Sequence, residues 1–329
     1  MPTAAVPLTA AAISQLVDGR LEGDGSAVLS AVGPLDRAHG DALSFLANPR
    51  YVADFAKSAA GAANLVIRAD WLADAVGNLQ FYYQLTGMPQ KLGDLAKMNA
   101  IDIDYNLRIA RARRAVMRES AITRGNRLAE RHPGARGGLW LIYDFATASG
   151  DQDLFEHPLG PKSSPQVKAP FKHDSIRALF ALPNGFNAFA LFDAAGARIE
   201  RILPGVEKPL YEGHEGSERS ARTNGNCFGC HNDGVWPVRD AFRARPNGVA
   251  GSANKDIQDA ALQLSGIDSE MQLLQDGDNE KSRNALRAAG IDPDLKIKGE
   301  EIITALARRY SSPVDLPRAA IELGLERET

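Results

Sequence analysis

Cysteine is the scarcest informative residue in this chain: two in 329. That excludes a disulfide-stapled scaffold, which needs many regularly spaced thiols. No apolar run approaches the roughly 20 residues that a membrane-spanning helix requires. A dominant charge is missing too. Lys and Arg number 38 against 41 Asp and Glu, a formal net charge of −3. Nothing electrostatic therefore argues for nucleic acid or an anionic membrane as partner. Met1-Pro2-Thr3-Ala4-Ala5-Val6-Pro7-Leu8 lacks a basic n-region and a long apolar h-region, and does not read as a secretory signal. What remains is a globular composition, 44% apolar and 24% charged, in a chain long enough for two domains.

Both cysteines sit in one motif, Cys227-Phe228-Gly229-Cys230-His231. Cys-x-x-Cys-His is the pattern of c-type haem attachment. The two thiols form thioethers with the haem vinyl groups, and the adjacent histidine reaches the iron. Polar, turn-rich residues flank the motif, so the haem-attachment loop is placed near 223–236. Cys227 and Cys230 are then the covalent anchors of haem c, and His231 is the proximal iron ligand. Met271, forty residues on, is the candidate distal ligand; its competing reading is a packing residue on a helix. His132, His157, His173 and His214 are alternatives. Three other readings of the motif compete: a redox dithiol, a zinc site and chance. No βαβ pattern surrounds the cysteines as a dithiol would need, and a second ligand pair at zinc-finger spacing is missing.

The first seventy residues read as a small α/β unit. Thr9 is placed to cap a helix through Leu16, with Ile13 and Leu16 on one face. Gly23-Asp24-Gly25 is a turn. Strands are expected over 27–32, 44–46 and 64–67, and a helix over 51–57. Leu21-Glu22-Gly23-Asp24-Gly25, Val32-Gly33-Pro34-Leu35 and Leu43-Ser44-Phe45-Leu46-Ala47-Asn48-Pro49-Arg50-Tyr51 together resemble the N-terminal domain of the LpxD family, the UDP-3-O-acylglucosamine N-acyltransferases of lipid A synthesis. The likeness covers about residues 5–70. It implies that Phe45, Asn48 and Tyr51 hold the uracil of a UDP-sugar. A uracil ring suits an aromatic face and an amide that meets its imide edge. Without the family, Phe45 and Tyr51 read as core aromatics and Asn48 as a turn residue. The family's catalytic β-helix would show as an apolar residue every six positions. No such run follows residue 75, so no acyltransferase catalytic residue is carried over.

The chain changes character after Asp70. Residues 81–118 read as largely helical, with basic clusters from Arg108 to Arg118 on a solvated face. Leu139 to Phe145 reads as a strand, and 155–161 as a loop. Arg177 to Leu182 and Phe186 to Phe192 flank Pro183-Asn184-Gly185, a hairpin signature. Ala195-Gly196 turns the chain again toward Arg198-Ile199 and extends the hairpin to a meander. Beyond the cysteines helices dominate, with helical spacing also over 302–307 and 316–325. Asn126-Arg127-Leu128-Ala129-Glu130-Arg131-His132, Tyr143-Asp144-Phe145, Phe155-Glu156-His157-Pro158-Leu159-Gly160-Pro161, Leu182-Pro183-Asn184-Gly185 and Ala319-Ala320-Ile321-Glu322-Leu323-Gly324-Leu325 are similar to blocks of a group of large bacterial cytochrome-c-like proteins. That similarity implies haem and electron transfer over 70–329, with a redox partner protein.

The expected fold is α+β: a small α/β domain over 1–70, joined to a larger mixed domain over 71–329 with a β-meander and a mainly helical haem-binding C-terminal part. The main functional reading is a c-type haem electron carrier with an appended nucleotide-sugar-binding domain. The alternative drops the haem and keeps a UDP-sugar-binding or truncated N-acyltransferase module. A haem peroxidase is a third reading, requiring an open distal position. Haem c attachment implies the periplasm, whereas the missing signal implies the cytoplasm. The two resemblances point to different compartments, and no Gly/Ser- or Pro-rich linker joins them. A recombined or misassembled chain is therefore also open.

Overall fold

The computed structural model describes residues 8–16, 21, 24–29, 31–32, 42–45, 66–67, 79–118, 120, 122–164, 167–208, 227, 231, 234–244, 255–297, 300–301, 316 and 319. The fold is α+β, and the chain divides into two compact units, 83–295 and 1–82 with 296–329.

In the N-terminal unit, β1 (Leu8–Thr9) runs into α1 (Ala10–Leu16). The Thr9 hydroxyl accepts from the backbone N–H of Ala12 at 3.2 Å, the capping role its position suggests. Ala10 and Ile13, one turn apart, are buried. The Asp24 carboxylate accepts from both the backbone N–H and the hydroxyl of Ser26, at 2.9 and 2.6 Å, closing the expected turn. The strand expected over 27–32 is two strands. β2 (Val28–Leu29) pairs antiparallel with β1, and β3 (Ala31–Val32) pairs parallel with β4 (Ala42–Phe45). β5 (Val66–Ile67) completes a parallel sheet in the order β3-β4-β5. The helix expected over 51–57 lies outside the described residues, as do 302–307 and most of 316–325.

α2 (Leu79–Leu85), α3 (Leu92–Met98) and α4 (Ile103–Arg108) lead toward a six-stranded antiparallel sheet. Its strands are β6 (Arg113–Met117), β7 (Arg127–Pro133), β8 (Gly138–Asp144), β9 (Ser175–Ala181), β10 (Asn187–Asp193) and β11 (Arg198–Ile199). Spatial order follows chain order, so the sheet is an up-and-down meander. The expected hairpin is present. The N–H of Gly185 donates to the Leu182 carbonyl at 2.9 Å, with Pro183 and Asn184 between. Gly185 has φ +86°, the left-handed residue that returns the strand in register.

One expectation is overturned. The basic stretch around Arg113 to Met117 is a strand, not a solvated helix face. Arg114 is only 4% exposed because Glu130 of the neighbouring strand takes its charge. β6 is an edge strand, but its backbone is covered. Val116 N–H donates to the Asp240 carboxylate at 2.8 Å, and Gly266 N–H donates to the Arg114 carbonyl at 3.0 Å. The last helices are α5 (Lys255–Leu264) and α6 (Asp268–Ala288). α6 packs on one face of the sheet, where Met271 joins Ala115, Ala129, Trp140, Leu179 and Phe189 in a core cluster.

Candidate functional site

Phe45 is the last residue of β4, the middle strand of the parallel sheet, and stands opposite Ile67. In open parallel sheets ligands bind beyond the carboxyl ends of the strands, where the departing loops converge. The chain leaving β4 carries Asn48 and Tyr51, which lie outside the described residues.

Cys227 and His231 of the cysteine motif pack against the meander. His231 N–H donates to the Cys227 carbonyl at 2.8 Å, so one helical turn brings these two residues together. Cys230 lies outside the described residues. The His231 ring rests between Phe189, 5.7 Å away, and Trp236, 5.8 Å away. Its Nδ1 lies 2.9 Å from the Gly234 carbonyl, a contact that needs Nδ1–H as donor. Burial lowers the affinity of the ring for a second proton. The Gly234 hydrogen bond opposes that, and the nearby Arg127 and Arg177 charges reinforce it.

Haem c is withdrawn. Among the described residues no group of three or more His, Cys, Asp or Glu side chains could hold a metal ion. The roles that depended on the haem therefore lapse: covalent anchoring by Cys227 and Cys230, proximal ligation by His231 and distal ligation by Met271. Met271 is fully buried, and its sulfur packs so tightly on Gly266 that a Cβ there would lie 2.7 Å from it. It is a core residue of α6, anchored at the β6 side of the sheet through Glu270 and Arg113, which pair at 2.6 Å. His231 rests on Phe189 of β10, a member of the same core cluster as Met271, and Cys227 packs against that cluster. The other histidines scatter. His132 and His173 are buried, the His157 Nδ1 lies 3.2 Å from the Ala169 carbonyl, and His214 is outside the described residues.

The best-built polar groups of the meander were not singled out from sequence. Residues of a strand alternate between faces, so Arg127 and Arg131 lie on the α6 face while Glu130 and His132 lie on the other. On the α6 face, Asp144 accepts from Arg127 Nε at 2.8 Å and from Arg177 Nε at 2.6 Å. An η nitrogen of Arg177 reaches Glu207 at 2.9 Å. Burial would raise the Asp144 carboxyl, but the two arginines outweigh it and hold its pKa below the usual value. Further along, Asp278 of α6 accepts from Arg131 at 2.8 and 3.0 Å, from the Trp140 indole at 2.8 Å and from Gly138 N–H at 3.0 Å.

On the opposite face, Glu130 is fully buried between Arg114 Nε, at 2.7 Å, and His132 Nε2, at 2.7 Å; the Tyr143 hydroxyl donates to it at 3.0 Å. Burial pushes this carboxyl up, yet Arg114 and His132 prevail and bring it to about 2. Arg114 also donates to the Gly160 carbonyl at 2.6 Å, which ties the 155–161 loop to the sheet. His132 Nδ1 and His173 Nε2 are buried and lack hydrogen-bond partners. A sequence signal for these groups existed: β7 reads Arg-Leu-Ala-Glu-Arg-His-Pro, and so much charge in a buried strand demands opposite charges nearby.

Compared with known proteins, the chain is 46% identical over 61 residues to the UDP-3-O-acylglucosamine N-acyltransferase of Paraburkholderia phytofirmans (strain PsJN). The match covers 18% of this chain and 16% of that protein. No protein-family description matches the chain, and no solved structure matches it. A segment of the chain is thus similar to part of an acyltransferase. The likeness to cytochrome-c-like proteins over 70–329 has no counterpart in these comparisons. The matched protein is named for acyl transfer and not for haem, which agrees with withdrawing the cofactor. No helix among the described residues is long and apolar enough to cross a membrane.

Proposed function

We propose that the N-terminal unit is a uridine-binding module that takes the nucleotide end of a UDP-sugar. The observation that carries this reading is the 46% identity over 61 residues to an enzyme named for a UDP-linked acylglucosamine. Phe45 supplies the stacking face, Asn48 pairs with the imide edge of the uracil, and Tyr51 closes the other side. The position of Phe45 at the carboxyl end of a central parallel strand supports this assignment. The module is lipid A pathway-derived and works without haem. Acyl transfer is not assigned to it, because the meander of 83–295 has nothing of a six-residue repeat.

The test is calorimetric titration of the full chain with UDP and with UDP-N-acetylglucosamine, using ADP as control. Saturable binding of both uridine nucleotides is expected, and ADP should not bind. Phe45→Ala should weaken UDP by about tenfold or more, the ~1–3 kcal/mol typical of a base stacked on an aromatic side chain. Equal binding of UDP and ADP, or a Phe45→Ala variant as tight as the parent, would refute the assignment.

A further inference from the structure

The Arg127–Asp144–Arg177 cluster has donors to spare. Each arginine spends its Nε on one Asp144 oxygen, and Arg177 spends one η nitrogen on Glu207. Among the described residues, no hydrogen-bond acceptor meets either η nitrogen of Arg127 or the second η nitrogen of Arg177. Both side chains are mostly buried, 11% and 17% exposed. They are fixed by a fully buried carboxylate. The cluster therefore holds oriented N–H groups at its small exposed edge, with a geometry that is set before any ligand arrives.

We propose that Arg127 and Arg177 form an oxyanion site on the α6 face of the meander, one that takes the phosphate or carboxylate group of a small molecule. A guanidinium held by its Nε still offers its η edge, and planar N–H groups suit the oxygens of phosphate or carboxylate. Asp144 and Glu207 balance the two positive charges, so hydrogen-bond geometry dominates over net attraction. That predicts modest affinity with a clear preference for oxyanions over halide. The site lies within 83–295 and is independent of the uridine reading.

The experiment titrates the full chain with inorganic phosphate and, separately, with succinate, at constant ionic strength held by chloride. Binding is read by calorimetry and by the side-chain N–H signals of 15N-arginine-labelled protein. Saturable binding of at least one anion is expected, with arginine signals that shift along the same isotherm; the tighter anion identifies the ligand class. Arg127→Lys keeps a positive charge beside Asp144 but removes the η edge. It should fold as the parent does and bind about tenfold more weakly. If Arg127→Lys does not fold, Arg177→Lys serves the same purpose. No saturation by either anion in the millimolar range overturns the proposal. So does binding that a folded lysine variant leaves unchanged.

Discussion

Acidification should destabilise the meander through His173. Its ring is buried and packs edge-on against Tyr143, with centroids 5.0 Å apart, and against Phe171, 6.1 Å apart. Its Nε2 has no partner. Burial lowers its pKa from 6.5 to about 4, although Asp174, Glu130, Asp144 and Asp193 pull the other way. In the unfolded chain the ring takes up a proton near 6.5, whereas in the folded protein it does so only near 4. The stabilisation from a neutral His173 is thus complete above 6.5, falls away as pH drops toward about 4, and is flat below that. A shift of this size corresponds to about 3 kcal/mol, most of it lost by about pH 4.5. Glu130 acts in a separate window. With its pKa lowered from 4.5 to about 2, its contribution is present above 4.5 and disappears as pH falls through about 2. The measurement is urea unfolding followed by tryptophan fluorescence, in which the buried Trp140 reports on the sheet, at several pH values from about 7.5 to 4.5. His173→Phe keeps an aromatic ring and cannot protonate. The unfolding free energy of the parent should fall by about 2–3 kcal/mol more than that of the variant over this range. Comparing the two chains removes the contribution of His231, which acts in the same direction. Parallel pH profiles would refute the reasoning.

Two further predictions concern how the sheet is held. Asp278→Ala strips acceptors from Arg131, Trp140 and Gly138 at once and should cost about 3–5 kcal/mol, read as a lower urea midpoint; a loss below about 1 kcal/mol would show that solvent replaces the carboxylate. Gly185→Ala places a Cβ on a residue with φ +86° and 2.8 Å from the Ala285 Cβ, and should lower the melting temperature with a cost of about 1–2 kcal/mol.

Legibility from sequence followed local chemistry. The β9–β10 hairpin was readable because Pro183-Asn184-Gly185 fixes its own turn, and the α1 cap because Thr9 needs only the Ala12 N–H. β7 was not readable as a strand. Its central residues are buried on both faces, yet they include Glu130, Arg131 and His132, so no apolar alternation marks it. β6 hides for the same reason: its arginines carry the charge pattern of a solvated helix face. The haem reading failed in another way. Cys-x-x-Cys-His is a local pattern, whereas a metal centre is a three-dimensional one, and no group of three or more His, Cys, Asp or Glu side chains assembles among the described residues.

The turns, the helix cap, the α+β class and the short acyltransferase-like segment are legible in the chain alone, because each rests on residues close together in it. Where the buried charges of the meander find their partners is settled by the fold. Arg114 meets Glu130 across neighbouring strands, and Arg131 meets Asp278 some 147 residues away. Such pairs form because an unpaired charge under the sheet costs more free energy than the chain entropy lost in closing the loop between its partners. No local pattern in the chain records which distant residue will answer that cost.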